Sequence, residues 1–235
     1  MINKITIWAD GTYDKRAENY RSASSWEHYE LEHLKSEPHA FLLIGFLIKN
    51  FSDVISKKSI LSIGIDLLKD LMIIRSIQSE LKVLDIDQIA VEEGNKAIER
   101  FGIEKSLTYQ LDNILTYKMD EKFDCLILCQ MDYIFNDSDF KNIIKKAANG
   151  KIKNIIVLTP SLYEFTFHPY KFLETIHTFL YATKTFLKKD SNSYRTYRRR
   201  RTHFTSLFSD HYHIDKHLSF KYPYGRINLY CLKLR

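Results

Sequence analysis

Four short apolar runs, each bounded by polar residues, mark the middle of the chain. They are KKSILSIGI (57–65), ELKVLDID (80–87), KFDCLILCQ (122–130) and KIKNIIVLTP (151–160). Short apolar runs without strict alternation are typical of strands that are buried on both faces, as in a parallel sheet. The pattern therefore predicts four strands of one sheet.

Helical periodicity fills two of the intervals between these runs. DQIAVEEGNKAIERFG places its apolar residues on one side and reaches Gly102, where a glycine is typical of a helix end. DSDFKNIIKKAANG begins with Asp137 and Asp139 as expected capping residues and ends at Gly150. Strands that alternate with helices of this size imply right-handed crossovers. We predict an α/β fold with a doubly wound, mostly parallel sheet and flanking helices.

The two ends of the chain have a different character. About 50 N-terminal residues read as mainly helical, with a break near Pro38. After Tyr170 come a further helix, KFLETIHTFLYATKTFL, a basic segment, and two closing antiparallel strands, YHIDKHLSFKY and RINLYCLKL, joined at Pro223-Tyr224-Gly225. We expect one domain over 1–235, with a helical cap at 1–56, a ligand-binding core at 57–165 and a C-terminal region at 166–235.

Composition narrows the class of protein. The chain has 235 residues, of which 45% are hydrophobic, enough for one sizeable core. No window approaches the roughly 18 apolar residues of a membrane span, and no long apolar segment follows the start, so a soluble cytoplasmic protein is expected. Three cysteines, an odd number, suit buried thiols better than disulfides.

Two acidic residues, Asp85 and Asp87, end the second predicted strand, at the edge where an open α/β sheet binds its ligand. Asp85 comes 21 positions after Gly64, close to the offset of about 20 at which a carboxylate accepts hydrogen bonds from a ribose. Asp85 and Asp87 could also cap the helix that begins at Gln88. Capping is the favoured interpretation for Asp87, and the ribose role is favoured for Asp85, so a nucleoside ligand is predicted.

Four segments of the chain carry a resemblance to a known family. YDKRAENY (13–20) resembles an N-terminal Tyr-Asp-x-x-Ala-x-x-Tyr motif, ILSIGIDLLKD (60–70) stands in the place of a glycine-rich first motif, and VLDIDQIAVEEGNKAIERFGI and FDCLILCQMDYIFNDSDF are similar to the second and fourth strands with their helices. Together they resemble the class I S-adenosylmethionine-dependent methyltransferases over residues 8–165. In the first motif Ser62 replaces the usual acidic residue, and Asp66 and Leu68 replace the second and third glycines.

The resemblance implies S-adenosylmethionine as the cofactor and assigns residues to it. Those expected at the cofactor are Gly64, Ile65 and Asp66 at the methionine part, Asp85 at the ribose, Ile86 at the adenine ring, Asp112 and Asn113 at the adenine amino group, and Gln130 near the methionine part. For Asp112 a solvated loop position is an equal alternative. The missing glycines argue against NAD as the ligand more strongly than against S-adenosylmethionine, because glycines let backbone N–H groups approach a pyrophosphate. S-adenosylmethionine has no phosphate, and Asp66 would suit its cationic amino acid part.

The acceptor leaves a weaker mark on the sequence. Methyl transfer from a sulfonium is an in-line displacement, so the protein aligns the reactants and, for a hydroxyl acceptor, supplies a base. Asp132, Tyr133 and His168 are the candidate catalytic residues. A packed or surface position is the favoured interpretation for His168, and Tyr133 could equally belong to the core. His211, His213 and His217 lack a carboxylate pattern to join them, so no metal site is expected.

The basic stretch YRTYRRRRTHF has three interpretations. Arginines beside tyrosines could bind RNA, could cover the active site and pair with an anionic acceptor, or could form a solvated helix face. The loop over the active site is preferred to RNA, so nucleic acid is an unlikely partner. The sequence predicts a methyltransferase that O-methylates a small molecule or a glycan precursor. A non-catalytic binding or scaffold protein of the same fold, and an RNA methyltransferase, are the alternatives.

Overall fold

A computed structural model describes residues 21, 24–36, 38–119, 123–129, 131, 134–159, 162–163, 199–222 and 225–235. The helices are α1 Trp26–Ser36, α2 Pro38–Ile55, α3 Leu67–Ile77, α4 Gln88–Phe101, α5 Asp137–Asn149 and α6 Arg201–Ser206. The strands are β1 Ser59–Ile63, β2 Glu80–Asp85, β3 Leu107–Leu111, β4 Cys125–Cys129, β5 Asn154–Thr159, β6 Leu162–Tyr163, β7 Arg199–Arg200, β8 Tyr212–Tyr222 and β9 Gly225–Leu234.

Seven of the strands form one sheet in the order β3-β2-β1-β4-β5-β9-β8. Strands β1 to β5 pair in parallel, and β9 joins β5 and β8 in antiparallel pairs. The chain moves outward from β1 through β2 and β3, and then returns to the other side of β1 at β4. This reversal is the topological switch point at which open α/β sheets bind ligands. The predicted α/β class, the four predicted strands and the closing antiparallel pair are confirmed.

Helices cover both faces of the sheet. Side chains alternate across the strands, so Ile60 packs with the core formed by α2, α3 and α4, whereas Leu61 packs with the core formed by α5 and α6. The second core is rich in aromatic side chains. Phe204 of α6 is fully buried, with its ring centroid 5.6 Å from that of Phe140 in α5 and 5.4 Å from that of Tyr230 in β9. These contacts fix the short helix α6 against the body of the fold.

The ends of α4 and α5 show how the local sequence sets the helix boundaries. Asp87 caps α4 by accepting hydrogen bonds from two backbone N–H groups, as predicted, and Gly102 ends the helix with a φ of +68°. The cap of α5 differs from the prediction. Asn136, not Asp137 or Asp139, accepts the N–H of Asp139, because the helix starts one residue earlier in the capping pattern.

The N-terminal helices are interrupted where the sequence predicted. Helix α1 ends at Ser36 and α2 begins at Pro38, in the first position where a proline costs no helical hydrogen bond. Arg75 of α3 pairs with Glu30 at 2.7 Å and lies 3.7 Å from the centroid of the Trp26 ring, so α1 is attached to the core. Within the described residues, no helix is both long enough and apolar enough to cross a membrane.

The closing hairpin extends beyond the edge of the parallel strands. Thr159, the last residue of β5, pairs with Asn228, whereas β9 begins at Gly225 and pairs there with Tyr222 of β8. The hairpin therefore rises past the carboxyl end of β5. Residues 223–224 of its predicted turn, and the predicted helix after Tyr170, lie outside the described residues. None of the three cysteines forms a disulfide; Cys125 and Cys231 are buried and Cys129 is half-buried.

Candidate functional site

The turn after β1 lies at the switch point between β1 and β4. Gly64 has a φ of +80°, a region that favours glycine, so the single glycine kept by the sequence stands where the backbone requires one. A Cβ atom placed on Gly64 would lie 3.0 Å from the Sδ atom of Met131. The turn after β1 and the segment after β4 therefore meet, which brings two of the predicted site regions together.

Asp85 joins the end of β2 to this turn. Its Oδ2 atom accepts the backbone N–H of Ile65 at 2.8 Å, and its Oδ1 atom accepts the backbone N–H of Asp87 at 3.0 Å. A carboxylate can accept about four hydrogen bonds in all, so both oxygens keep capacity for a ligand. The sequence predicted Asp85 as a ribose residue, and the structure adds a second task, because the carboxylate also holds the turn.

The segment after β3 lies next to Asp85. Leu111, the last residue of β3, pairs in register with Asp85, and the N–H of Asp112 donates to the carbonyl of Asp85 at 2.9 Å. The Asp112 carboxylate accepts the N–H of Asn113 at 2.7 Å and a longer bond, 3.3 Å, from Gln110. The structure thus places Asp112 and Asn113 beside the predicted ribose residue.

Apolar side chains flank these carboxylates. Ile86 at the end of β2 is 39% exposed and Leu111 at the end of β3 is 49% exposed. Exposed apolar side chains at adjacent strand ends offer contact area to a flat ring, which is the role predicted for Ile86. Leu111 was not predicted at the ligand edge, because β3, the strand that it ends, was not among the predicted strands.

Asp66 is exposed and caps the N-terminus of α3. Its Oδ1 atom accepts the N–H of Lys69 at 3.2 Å, so the residue that replaces a glycine of the family motif is the helix cap. The Lys69 ammonium lies beneath the turn and is 2% exposed. Since Asp66, Asp85 and Asp112 all lie at this edge and Lys69 is buried, the described surface of the site presents negative charge. Such a surface favours a cationic ligand over a phosphate.

Lys146 of α5 supports the loop after Asn113 from the other side. Its ammonium donates to the carbonyls of Ile114 at 3.0 Å and of Leu115 at 3.1 Å. Partial burial lowers the pKa of Lys146, and Asp112 opposes that change. The lysine ties the loop that carries Asp112 to the helix following β4.

Four predicted site residues cannot be placed. Gln130, Asp132, Tyr133 and His168 lie outside the described residues, so their roles stay predictions. A different histidine lies at the same edge of the sheet. His203 of α6 has its Nε2 atom 2.6 Å from Oδ2 of Asp137, in the first turn of α5 after β4. A carboxylate that orients an imidazole is an arrangement able to accept a proton. Sequence reasoning missed the pair because its members are 66 positions apart.

His211, His213 and His217 do not all belong to one strand. His211 lies in the turn before β8, whereas His213 is on the strand, because β8 begins only at Tyr212. His217 contacts Asn228 at 3.1 Å and stacks on the ring of Tyr230 with a centroid distance of 4.3 Å. Among the described residues, no three His, Cys, Asp or Glu side chains are arranged to hold a metal ion.

The basic stretch is described only at its end. Arg199 and Arg200 form β7, which pairs in parallel with β6, and Arg201 is exposed at the start of α6. Arg195 and Arg198 lie outside the described residues. The three interpretations of the arginines stay open.

Comparison with known proteins places the fold. No family model matches the sequence, and no curated protein matches it either. Many solved structures are similar. Magnesium protoporphyrin IX methyltransferase from Synechocystis PCC 6803, with bound S-adenosylhomocysteine, is 10% identical and has a TM-score of 0.63, with 95% of this chain covering 94% of that one.

Two further structures show the same likeness over different lengths. Mitomycin 7-O-methyltransferase is 12% identical, with a TM-score of 0.62, and the match covers 95% of this chain and 69% of that one. The S-adenosylmethionine-dependent methyltransferase SibL is 15% identical, with a TM-score of 0.59, and the match covers 89% of this chain but 57% of that one. The chain thus spans little more than half the length of some of the proteins that it resembles.

The sheet order, the switch point between β1 and β4, the antiparallel β9 and these similarities define the class. The chain has the class I fold of S-adenosylmethionine-dependent methyltransferases.

Proposed function

We propose that the protein binds S-adenosylmethionine and transfers its methyl group to a small-molecule acceptor. The observation that carries this proposal is the position of Asp85. Its carboxylate lies at the end of β2, is bonded to the turn after β1, and retains acceptor capacity for ribose hydroxyls.

The charge of the site supports the choice of cofactor. S-adenosylmethionine carries a sulfonium, an ammonium and one carboxylate, whereas NAD carries a pyrophosphate. Asp66 is exposed at the cap of α3, where it offsets the positive end of the helix dipole that would otherwise attract a phosphate. The residues present therefore fit a cationic nucleoside better than a dinucleotide.

Each described residue has a task in this proposal. Asp85 accepts hydrogen bonds from the ribose hydroxyls, Ile86 and Leu111 contact the adenine ring, and the Asp112 carboxylate, next to Asn113, accepts a hydrogen bond from the adenine amino group. Gly64 and Asp66 border the methionine part, together with Gln130. The bound cofactor supplies an electrophilic methyl group on sulfur, and the protein holds the acceptor in line with it.

We propose a hydroxyl acceptor on a small molecule, with a glycan precursor as one possible class. A hydroxyl must lose a proton when its oxygen is methylated. Asp132, Tyr133 and His168 are the predicted groups for this step, and the pair of His203 and Asp137 joins them because Asp137 begins α5, the helix that follows β4. The structurally similar proteins include O- and N-methyltransferases, which supports methyl transfer but does not distinguish between oxygen and nitrogen as the acceptor atom.

A second candidate, a binding or scaffold protein without catalysis, is favoured by the first motif. Ser62, Asp66 and Leu68 replace an acidic residue and two glycines that are usual in the family that the chain resembles. This candidate shares the fold and predicts that neither the cofactor nor its product binds.

Isothermal titration calorimetry with S-adenosylhomocysteine, S-adenosylmethionine and NAD separates the two candidates. We expect both sulfur nucleosides to bind with a Kd on the order of micromolar, about 8 kcal/mol of binding free energy, and NAD not to bind. A folded protein that binds neither sulfur nucleoside would support the scaffold. If the cofactor binds, release of S-adenosylhomocysteine in the presence of a panel of hydroxylated small molecules identifies the acceptor class.

A further inference from the structure

Two adjacent charged residues are buried directly beneath the turn after β1, residues 64–66. Lys69 and Asp70, in the first turn of α3, are 2% and 0% exposed, and the Lys69 ammonium lies 3.4 Å from Oδ1 of Asp70. In the part of the chain that the structure describes, Glu93 is the other buried charged residue, and its partners Arg21 and Lys96 are exposed. The pair of Lys69 and Asp70 differs from the pairs that Glu93 forms, because both of its members are buried.

Lys69 and Asp85 hold opposite ends of one peptide group. The Lys69 ammonium donates to the carbonyl of Gly64 at 3.0 Å, and Asp85 accepts the N–H of Ile65 at 2.8 Å. The carbonyl oxygen of Gly64 and the N–H of Ile65 belong to the same peptide unit. A cation on its oxygen and an anion on its hydrogen polarise the unit in the same sense, so each bond strengthens the other.

Asp70 holds the next peptide group. Its Oδ2 atom accepts the N–H of Asp66 at 3.2 Å and the phenolic O–H of Tyr109 at 3.0 Å. Tyr109 belongs to β3, the strand that leads to Asp112. Two consecutive peptide units of the turn are therefore fixed by charged side chains, and the fixation extends to the strand that carries the predicted adenine residue.

We propose that Lys69 and Asp70 are positioning residues for the cofactor, which together with Asp85 fix the turn that a glycine-rich sequence shapes in other proteins of this fold. This inference rests on the proposed function. We call Lys69, Asp70 and Asp85 the turn clamp. The clamp explains how a turn with a single glycine can present its backbone, and the Asp85 carboxylate, in a defined orientation.

The clamp has a titratable member. Burial, with a smaller contribution from the charge of Asp66, raises the pKa of Asp70 from its usual 3.8 to about 6. Lys69 and the hydrogen bond from Tyr109 act in the opposite direction and lower it. For Lys69, burial lowers the pKa, but Asp70, Cys129 of β4 and Asp66 raise it by more, so the ammonium stays charged. Below this pH Asp70 is neutral and the clamp loses the countercharge of its lysine.

Calorimetry with S-adenosylhomocysteine tests the clamp, since this probe keeps its charges between about pH 5 and 7. In Lys69→Met we expect the affinity near neutral pH to fall by about tenfold or more, the loss of one charged hydrogen bond. Lys145→Met, which removes an exposed lysine of α5, is the matched control and should bind as the wild type does.

The pH dependence separates positioning from a merely structural effect. In the wild type the affinity should fall as the pH decreases through about 6. Lys69→Met should move that midpoint upward, because Asp70 loses its cation, and Asp70→Asn should abolish the dependence. Tyr109→Phe, a milder change, should also move the midpoint upward. A folded Lys69→Met protein with wild-type affinity and midpoint would overturn the proposal, and an unmoved midpoint in Tyr109→Phe would do so if Lys69→Met does not fold.

A measurement without ligand keeps the clamp distinct from the proposed function. The amide signals of Ile65 and Asp66 in a ¹H–¹⁵N spectrum should titrate with a midpoint near 6 in the wild type and stay constant in Asp70→Asn. If S-adenosylhomocysteine does not bind the wild type, the proposed function and the cofactor role of the clamp fail together. If it binds while these amides do not titrate, the clamp alone is wrong.

Discussion

Replacement of Asp85 by asparagine tests the link between β2 and the turn after β1. The carboxylate accepts one backbone N–H on each oxygen, from Ile65 at 2.8 Å and from Asp87 at 3.0 Å. An asparagine of the same shape keeps a single acceptor oxygen and places an NH₂ group against the other N–H. One of the two bonds is lost, and the remaining bond is no longer charge-assisted.

The expected cost follows from these contacts. Hydrogen bonds to charged groups contribute about 1.5–3 kcal/mol each, and the lower end applies here because Asp85 is half-buried and water can replace part of the loss. We expect Asp85→Asn to reduce the free energy of unfolding by about 1.5 kcal/mol. For a chain of this size, that corresponds to a decrease in Tm of about 3–6 °C.

Asp87→Asn is the matched control. It makes the same chemical change two residues away, but Asp87 acts as the cap of α4, and asparagine caps helices about as well as aspartate. The control should change stability by less than about 0.5 kcal/mol. Urea denaturation followed by circular dichroism measures both variants, and equal midpoints for the two would refute the proposed hold of Asp85 on the turn. Asp85→Asn should also weaken the binding of S-adenosylhomocysteine, whereas Asp87→Asn should not.

Two further predictions concern the packing and the charge of the fold. Phe204→Ala empties a fully buried site between α5, α6 and β9 and should cost about 3–5 kcal/mol in urea denaturation, with exposed Thr202→Ala of the same helix as the control. Hydrogen bonds from Arg21 and Lys96 lower the pKa of Glu93 to about 2 from its usual 4.5. A lowered carboxyl pKa stabilises the folded state above the unfolded value, so this contribution should be lost as the pH falls from 4.5 toward 2 and should be absent in Glu93→Gln.

The sheet was largely predictable because its central strands are buried on both faces. Strands β4 and β5 contain uninterrupted apolar runs, and the runs of β1 and β2 are each broken by one polar residue, Ser62 and Lys82. The helices between the strands gave a clear period and a recognisable end, as at Gly102. Strand β3 was not predicted from its pattern. Its sequence LTYQL alternates apolar and polar residues, because it is the edge strand and Thr108 is exposed. This five-residue alternation is the pattern of a half-buried strand, so the sequence did carry a signal for β3, but a weaker one than the longer apolar runs of the central strands.

The site was predictable where spacing along the chain reflects the fold. The separation of Gly64 and Asp85 follows from one strand, one helix and the next strand, so the sequence indicated their meeting. The pair of His203 and Asp137 depends on how α6 packs against α5 and left no trace of that kind.

Lys69 and Asp70 are an intermediate case, since a signal was present. In a helix, residues three and four apart lie on one face, so Lys69 shares a face with Ile73 and Asp70 with Ile74 and Ile77. All three isoleucines are buried. Two adjacent charges on apolar faces of a helix indicate a buried polar network, which the helical pattern alone could have shown.

The cost of burying Lys69 and Asp70 bears on the choice between an active and an eroded site. Taking two charges out of water costs about as much free energy as their attraction returns, and well-packed apolar residues are often as stable or more so. A turn that only connected β1 to α3 would therefore gain little from this pair. The pair also bonds the Gly64 carbonyl and the Asp66 N–H, the backbone atoms whose orientation a ligand would meet. Charged residues that add little stability but fix the backbone of a turn at the switch point favour a site that binds its cofactor over one that has lost it.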